Sequence, residues 1–516
     1  MGKLRSLIAF VVALAAVAAA GQAASAQDGA RPAAERPNLI VIVTDDQDEA
    51  LFSRHLMPNT FALFDDGGTR LTDFTITTPL CCPSRATQLT GQYGHNNGVL
   101  ANDPGYPALR DPANVLPEWL RGAGYRTAQV GRYLNGYKRG GSPATPAPGW
   151  DRWVGLMDLH YRDYDLSVDG RRRTVRGMDA SSYVTRNLGS RSSGLVRDLA
   201  DDDAPFYLQI DHLAPHSDHL ARGICTRSAL PGPQKLRPVR DLRLPRNPAR
   251  EADVGDKPSF IRELPRIDRE AFAGVLHRMR CRAASIREAD RSIGRLRRTL
   301  ERTGELDDTA IVFYSDNGYF TGEHNLTKGK GLPYEEAVSV PALIRVPPAF
   351  LGGVVAPPEL EVTTANMDVA PTVLDLAGAE PCNQEGTCRL PDGRSLLPVL
   401  EDPSDWPRPR PLLIEIDQQG RIAGSTLGCS WSAIKSGDQV YVEYKRVLMK
   451  DVDRCVETDD REHYRLRPDP RERHNLWPPQ TDRDANSQAE LAVELETLRT
   501  CAGAAGSPDA SANPCP

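Results

Sequence analysis

The chain has 516 residues, is 40% hydrophobic, and carries a net charge of −6 from 63 basic and 69 acidic side chains. That length is too great for one small core; at about 150 residues per domain it implies roughly two to three domains. The mildly negative, mixed-sign balance gives no sign of a nucleic-acid partner or of a polybasic membrane-binding surface.

Lys3 and Arg5 precede an uncharged apolar run, Leu7 to Ala20, and Ala24-Ser25-Ala26 offers a small-residue cleavage site. The pattern predicts a secretory signal peptide over residues 1–26, with Gln27 as the mature N-terminus. A Pro/Ala-rich leader, 27–36, follows. The apolar run is shorter than the ~20 residues that span a bilayer, so the expectation is a secreted, extracellular protein with no membrane contact after cleavage. Export makes the ten cysteines informative, because disulfides persist in oxidising compartments. The expected pairs are Cys382–Cys388 and Cys501–Cys515 as short loops, then Cys225–Cys281 and Cys429–Cys455, although spacing alone does not fix connectivity. Cys81 and Cys82 stand apart, being adjacent, without metal-ligand spacing, and strained if bridged to each other.

Asn38 to Thr44 is a continuous β-branched run that reads as a strand buried on both faces, as in a parallel sheet. It ends in Asp45 and Asp46, where open α/β sheets place their sites. A helix is expected around Met57 to Asp65. In Thr78 to Gly91 another helix begins, with Pro83 suited to its first position and Gly91 to the position past its end. Cys81 and Cys82 then lie at an N-terminal mouth that favours an anion, and Arg85 adds a fixed positive charge one turn in. Leu116 to Gly122 reads as a helix, and Tyr125 to Val130 as a strand running into Gly131-Arg132-Tyr133-Leu134-Asn135. Ala204 to Leu213 reads as a buried strand closing on His216. The charged helix from about Glu270 to Thr303 has an apolar stripe and reads as surface packing.

Asp308 to Ser315 repeats the first pattern, a buried strand followed at once by Asp316 and Asn317. Hard oxygen donors converging from two strand ends suit Ca²⁺ or Mg²⁺ better than zinc. A Gly-rich cationic loop then carries Lys330 but lacks P-loop spacing, and Asn366 to Gly378 reads as a helix. Texture changes near residue 405. Leu412 to Asp417, Trp431 to Ser436 and Gln439 to Tyr444 alternate as half-buried antiparallel strands do. The expected class is α/β: a large mixed, mostly parallel sheet sandwiched by helices over 37–405, a smaller α+β domain with an antiparallel sheet over 410–500, and a tail over 501–516.

Cys81-Cys82-Pro83-Ser84-Arg85 with Leu89-Thr90-Gly91 resembles the sulfatase signature Cys-X-Pro-Ser-Arg. Asp368 to Asp375, Asp392 to Leu397, and Tyr464-Arg465-Leu466 with Asp469-Pro470 and Glu472 are similar to further segments of that family, in the family's order. Over about residues 37–480 the chain is identified as a member of the sulfatases, with an alkaline-phosphatase-like fold. Its Cys-Cys pair and its Tyr-Leu-Asn after Gly131 are most similar to glucosamine-6-sulfatases and heparan endosulfatases. The resemblance implies that a formylglycine-generating enzyme oxidises Cys81 to Cα-formylglycine, while Cys82 stays a thiol. It implies Asp45, Asp46, Asp316 and Asn317 as metal ligands, with an oxygen of residue 81 and Ca²⁺ ahead of Mg²⁺. Arg85, His216, Lys330 and Arg132 match positions around residue 81 or the sulfate of a sulfated small molecule or glycan.

Two departures from the family pattern stand out. Arg132 replaces the usual Lys, and a guanidinium is not interchangeable with an ammonium at a tight anion site. Leu134 stands where many members carry a His, which leaves Asn135 as a substitute. The expected reaction is hydrolysis of a sulfate ester, with a 6-sulfated N-acetylglucosamine unit as the model substrate. Hydrolysis of a phosphate or phosphonate ester, and non-catalytic binding of a sulfated glycan, are the competing readings.

Overall fold

All seven residues of β1 (Asn38–Thr44) are buried. Leu39, Val41 and Val43 enter one hydrophobic cluster while Ile40 and Ile42 enter another on the opposite face. This two-sided burial is what a continuous β-branched run dictates, at about 1.5–3 kcal/mol for each large aliphatic side chain. The computed structural model describes residues 36–137, 145–232, 236–244, 253–418, 427–449, 454–507 and 511–516. The predicted signal peptide and the leader up to residue 35 lie outside them.

β1 sits inside a ten-stranded sheet. Its other strands are β2 (Gly68–Thr75), β3 (Arg126–Gly131), β4 (Arg152–Leu156), β5 (Tyr164–Val168) and β6 (Arg171–Val175), then β7 (Phe206–Asp211), β8 (Thr309–Ser315), β9 (Ala342–Arg345) and β10 (Glu359–Ala365). The order is β10-β2-β9-β8-β1-β7-β3-β4-β5-β6. The run β8-β1-β7-β3-β4 is parallel throughout. Both flanks of this run turn antiparallel, at β9 on one side and at β5 on the other. Helices α1 (Pro58–Phe64), α2 (Cys81–Thr90), α3 (Leu116–Gly122), α4 (Val184–Ala200), α5 (Arg269–Thr303) and α6 (Val369–Ala377) accompany the sheet.

Two expectations require correction. α2 begins at Cys81 with Leu80 as its N-cap, so Pro83 is its third residue rather than its first. Gly91 does close the helix, in the left-handed region at φ 68°. α5 is not surface packing. Its Met279, Ala283, Ile286, Ile293 and Leu300 enter the core, and its Arg282 is fully buried. The apolar stripe legible in its sequence is what enters the core, and its many arginines gave no sign that one of them, Arg282, is buried with it.

A second, antiparallel sheet follows, built from β11 (Leu412–Asp417), β12 (Gly428–Ser436), β13 (Gln439–Met449), β14 (Arg454–Glu457) and β15 (Arg461–Arg465). Its Ile414, Trp431, Val442 and Tyr464 share one buried cluster with Leu80, Phe320, Leu332 and Tyr334 of the first part of the chain. The Trp431 indole N–H donates to the Gly331 carbonyl at 3.1 Å, so this sheet backs the loop that carries Lys330. All four expected disulfides are present, and Cys81 and Cys82 are free and buried. Among the described residues, no helix is long and apolar enough to cross a membrane.

One polar link across the seam between the two sheets titrates. His95 Nδ1 lies 2.8 Å from Glu415 Oε1 on β11, and its Nε2 lies 3.0 Å from the Cys501 carbonyl. Partial burial pulls the His95 pKa down, but the Glu415 carboxylate and that carbonyl outweigh it and raise it to about 9. A folded-state pKa above the unfolded value of about 6.5 stabilises the protein fully below that pH and loses the benefit as pH rises through about 9. His95→Gln is therefore expected to destabilise by on the order of 1–2 kcal/mol at pH 6. In denaturant melts, wild type and variant should converge by pH 9–10; a pH-independent difference would refute the charged link.

Candidate active site

Parallel register brings the functional residues together. Thr44 pairs with Ser315, so the residues that follow, Asp45 and Asp46 after β1 and Asp316 and Asn317 after β8, emerge side by side. Val43 pairs with Asp211 at the end of β7, and Asp211 pairs with Gly131 at the end of β3, which delivers Arg132. Gly131 is required there: φ is 119°, and a Cβ would meet the Asp211 carbonyl oxygen at 1.9 Å. Asp46 also has a left-handed φ of 67°. For a non-glycine residue this costs about 1–2 kcal/mol, held here by Asp46 N–H donating to Asp316 Oδ1 at 3.1 Å.

Above these strand ends lies the mouth of α2. Cys81 Sγ is 3.4 Å from Asp45 Oδ1, 3.9 Å from Asp46 Oδ1 and 2.6 Å from Lys330 Nζ. Lys330 also pairs directly with Asp46. Arg85 reaches from α2 into the carboxylates: its Nε donates to Asp316 at 2.9 Å and its Nη1 to Asp211 at 2.8 Å, with Asp45 at 3.5 Å from Nη2. Arg132 pairs with Asp45 and donates to Asn135 Oδ1 at 3.0 Å. His216 Nε2 lies 4.0 Å from Asp46 Oδ2, and its buried Nδ1 has no partner. Every residue singled out from the sequence thus falls in one cluster, with Cys82 behind it, its N–H on Asn102 Oδ1 at 2.9 Å.

The electrostatics follow from burial. Asp45, Asp46, Asp211 and Asp316 are at most 3% exposed. Burial, then the charge of Asp45, raises Asp316 to about 6. Burial also pushes Asp46 up, but Lys330, His216 and Arg282 together outweigh it and hold its carboxyl well below the usual range. Burial drives the Cys81 thiol well above its ordinary value and His216 down to about 4. Arg85 stays charged because Asp316, Asp211 and Asp45 overcome its desolvation.

The donor set fits a hard divalent cation. Oxygens of Asp45, Asp46 and Asp316 and the Cys81 sulfur all lie within 4.8 Å of one another. The Asn317 side-chain oxygen is buried without a partner, while its nitrogen donates to Asp46 at 2.8 Å. Carboxylates with one amide oxygen are the ligands Ca²⁺ and Mg²⁺ take.

Two supporting residues escaped the sequence reading. Asp211 looked like an interior strand position and is instead the last residue of β7, bonded to Arg85 and by Gln129 and Gln209 at 3.2 Å each. Arg282 donates to the Asp46 carbonyl and, at 2.9 Å, to Asp48, from a helix more than 230 residues away in sequence. Nothing local marks it; only one guanidinium among many arginines on α5 turns inward.

Residues 37–379 match the family model described as Sulfatase. The chain is 31% identical over 513 residues to an arylsulfatase of Volvox carteri, covering 92% of this chain and 76% of that one. It is 32% identical over 406 residues to an N-acetylglucosamine-6-sulfatase of Homo sapiens, covering 76% and 69% of the two chains. A solved structure described in complex with its substrate, D-glucosamine-2-N,6-O-disulfate, superposes with a TM-score of 0.69 at 26% identity, over 89% of this chain and 97% of that one. The buried cysteine at a helix mouth, faced by acidic strand ends and by Lys330, therefore sits in a chain that belongs to the sulfatase family of sulfuric ester hydrolases.

Proposed function

We propose that this enzyme is secreted and hydrolyses the sulfate ester of a sulfated sugar, with a 6-sulfated glucosamine unit as its substrate class. Residue 81 acts as the nucleophile. Asp45, Asp46, Asp316 and Asn317 would hold a divalent cation, Ca²⁺ or Mg²⁺. The convergence of three carboxylates and Lys330 on the side chain of residue 81 carries this reading. Its substrate class rests on the N-acetylglucosamine-6-sulfatase relative and on the glucosamine disulfate complex. Four disulfides support an oxidising compartment.

Cα-formylglycine at residue 81 would supply a hydrated aldehyde as the nucleophile toward sulfur, and a divalent cation held by Asp45, Asp46, Asp316 and Asn317 would supply charge neutralisation beside it. The chain's own residues do the rest. Lys330, at hydrogen-bond distance from the residue 81 side chain, faces the sulfuryl oxygens as negative charge spreads over them. Arg85 and Arg132 fix the Asp45 and Asp316 carboxylates and add positive charge to a nearly dry pocket. His216 stands at its edge with one nitrogen toward Asp46, and His216 or Lys330 is the group that protonates the departing sugar oxygen.

Initial rates on an aryl sulfate and the matching aryl phosphate separate sulfate from phosphate chemistry. The sulfate is expected to turn over at least tenfold faster, and a phosphate preference would overturn the assignment. Cys81→Ala should abolish turnover of either; unchanged activity would exclude residue 81 as nucleophile. His216→Ala is expected to slow a 6-sulfated sugar, whose alkoxide leaves poorly, by on the order of 10²-fold. The same variant should slow an aryl sulfate, whose phenoxide leaves unaided, far less. Equal losses on both substrates would remove His216 from proton transfer.

A further inference from the structure

We propose a second divalent-cation site, formed by His324, Glu336 and Glu472 and suited to Zn²⁺, that fastens the loop carrying Lys330 to the C-terminal part of the chain. His324 lies in the turn Glu323–Asn325 and Glu336 in the short helix Glu335–Val338, on either side of Lys330. Glu472 lies beyond β15. One ligand atom from each side chain falls within 4.8 Å of the other two. Metal–ligand bonds of about 2.0–2.2 Å require only a small contraction of that triangle.

Two observations besides proximity point to a cation. Glu472 is 1% exposed, and its Oε1 is buried with no hydrogen-bond donor, while Oε2 accepts the Glu335 N–H at 2.7 Å. No basic side chain forms an ion pair with Glu472 among the described residues. Glu336 repeats the arrangement: Oε1 pairs with Arg471 at 3.2 Å, and buried Oε2 has no donor. Two carboxylate oxygens thus stand close together with unmet lone pairs, a state that favours uptake of a cation or, without one, of a proton. A cleft of about 340 Å³, with Asp48, Glu49, Glu323, Glu335 and Glu336 in its walls, borders the cluster and gives a cation an electrostatically favourable way in.

The donor chemistry separates this site from the one beside Cys81. An imidazole with two carboxylates suits zinc, whereas the all-oxygen donors of Asp45, Asp46, Asp316 and Asn317 suit Ca²⁺ or Mg²⁺. The His324 ring stacks on Tyr334 at 4.1 Å, and Tyr334 donates to Glu462 at 2.9 Å, so the imidazole is already held in place. Binding there would tie both ends of the Lys330 loop to the segment after β15.

The full chain, held in excess Ca²⁺, is titrated with Zn²⁺ alone, and bound zinc is counted by elemental analysis after dialysis. One Zn²⁺ per chain is expected in the wild type and in Asp316→Asn, with at least tenfold weaker binding in Glu472→Gln and in His324→Asn. Thermal melts without zinc show which variants fold, and either one suffices. Absence of zinc from the wild type, loss of zinc in Asp316→Asn, or equal zinc binding by wild type and a folded cluster variant would each overturn the proposal.

Discussion

Arg85 is the residue on which the centre depends. Its guanidinium reaches Asp316, Asp211 and Asp45 at once, each the end or the continuation of a different parallel strand, with all four side chains nearly dry. Two unit charges about 4 Å apart interact by about 4 kcal/mol at an effective dielectric of 20. Carboxylates packed this closely would otherwise protonate or separate. A planar fork of five donors can face three of them in a fixed geometry, which a lysine cannot. α2, which carries Arg85, is thereby locked over the strand ends, and residue 81, one turn earlier, is placed over the acids.

The rest of the centre follows from this charge arithmetic. Arg132 and Lys330 face Asp45 and Asp46 from opposite elements, one after β3 and one from the loop backed by the second sheet. A pocket that sets the fixed charges of Arg85, Arg132 and Lys330 beside an acid cluster is preorganised for an anion whose charge grows during reaction. The exchange of the family's usual lysine for Arg132 is compatible with this, because Asn135 takes the second arm of the guanidinium at 3.0 Å. Leu134, 4% exposed, packs in the hydrophobic core where many members carry a histidine.

Much of this was legible in the sequence because strong local signals coincided with the site. β1 and β8 are continuous apolar runs ending in acids, and α3 and β11 occur at the expected residues. The strands β2, β4, β5, β6, β9, β10, β14 and β15 were missed, being four to eight residues long with ends set by pairing partners rather than by composition. Asp211 and Arg282 were invisible for a related reason. Their roles come from register and from one helix face, and the local sequence around each is ordinary.

The proposed mechanism uses residue 81 as an aldehyde rather than a thiol, since burial would leave a cysteine there protonated and a poor nucleophile. The most direct measurement is the mass of the peptide that carries residue 81, taken from protein made in its own host. Conversion of the thiol to an aldehyde predicts a defined loss of mass confined to Cys81, with Cys82 unchanged. Intact cysteine at both positions in active enzyme would contradict the formylglycine nucleophile.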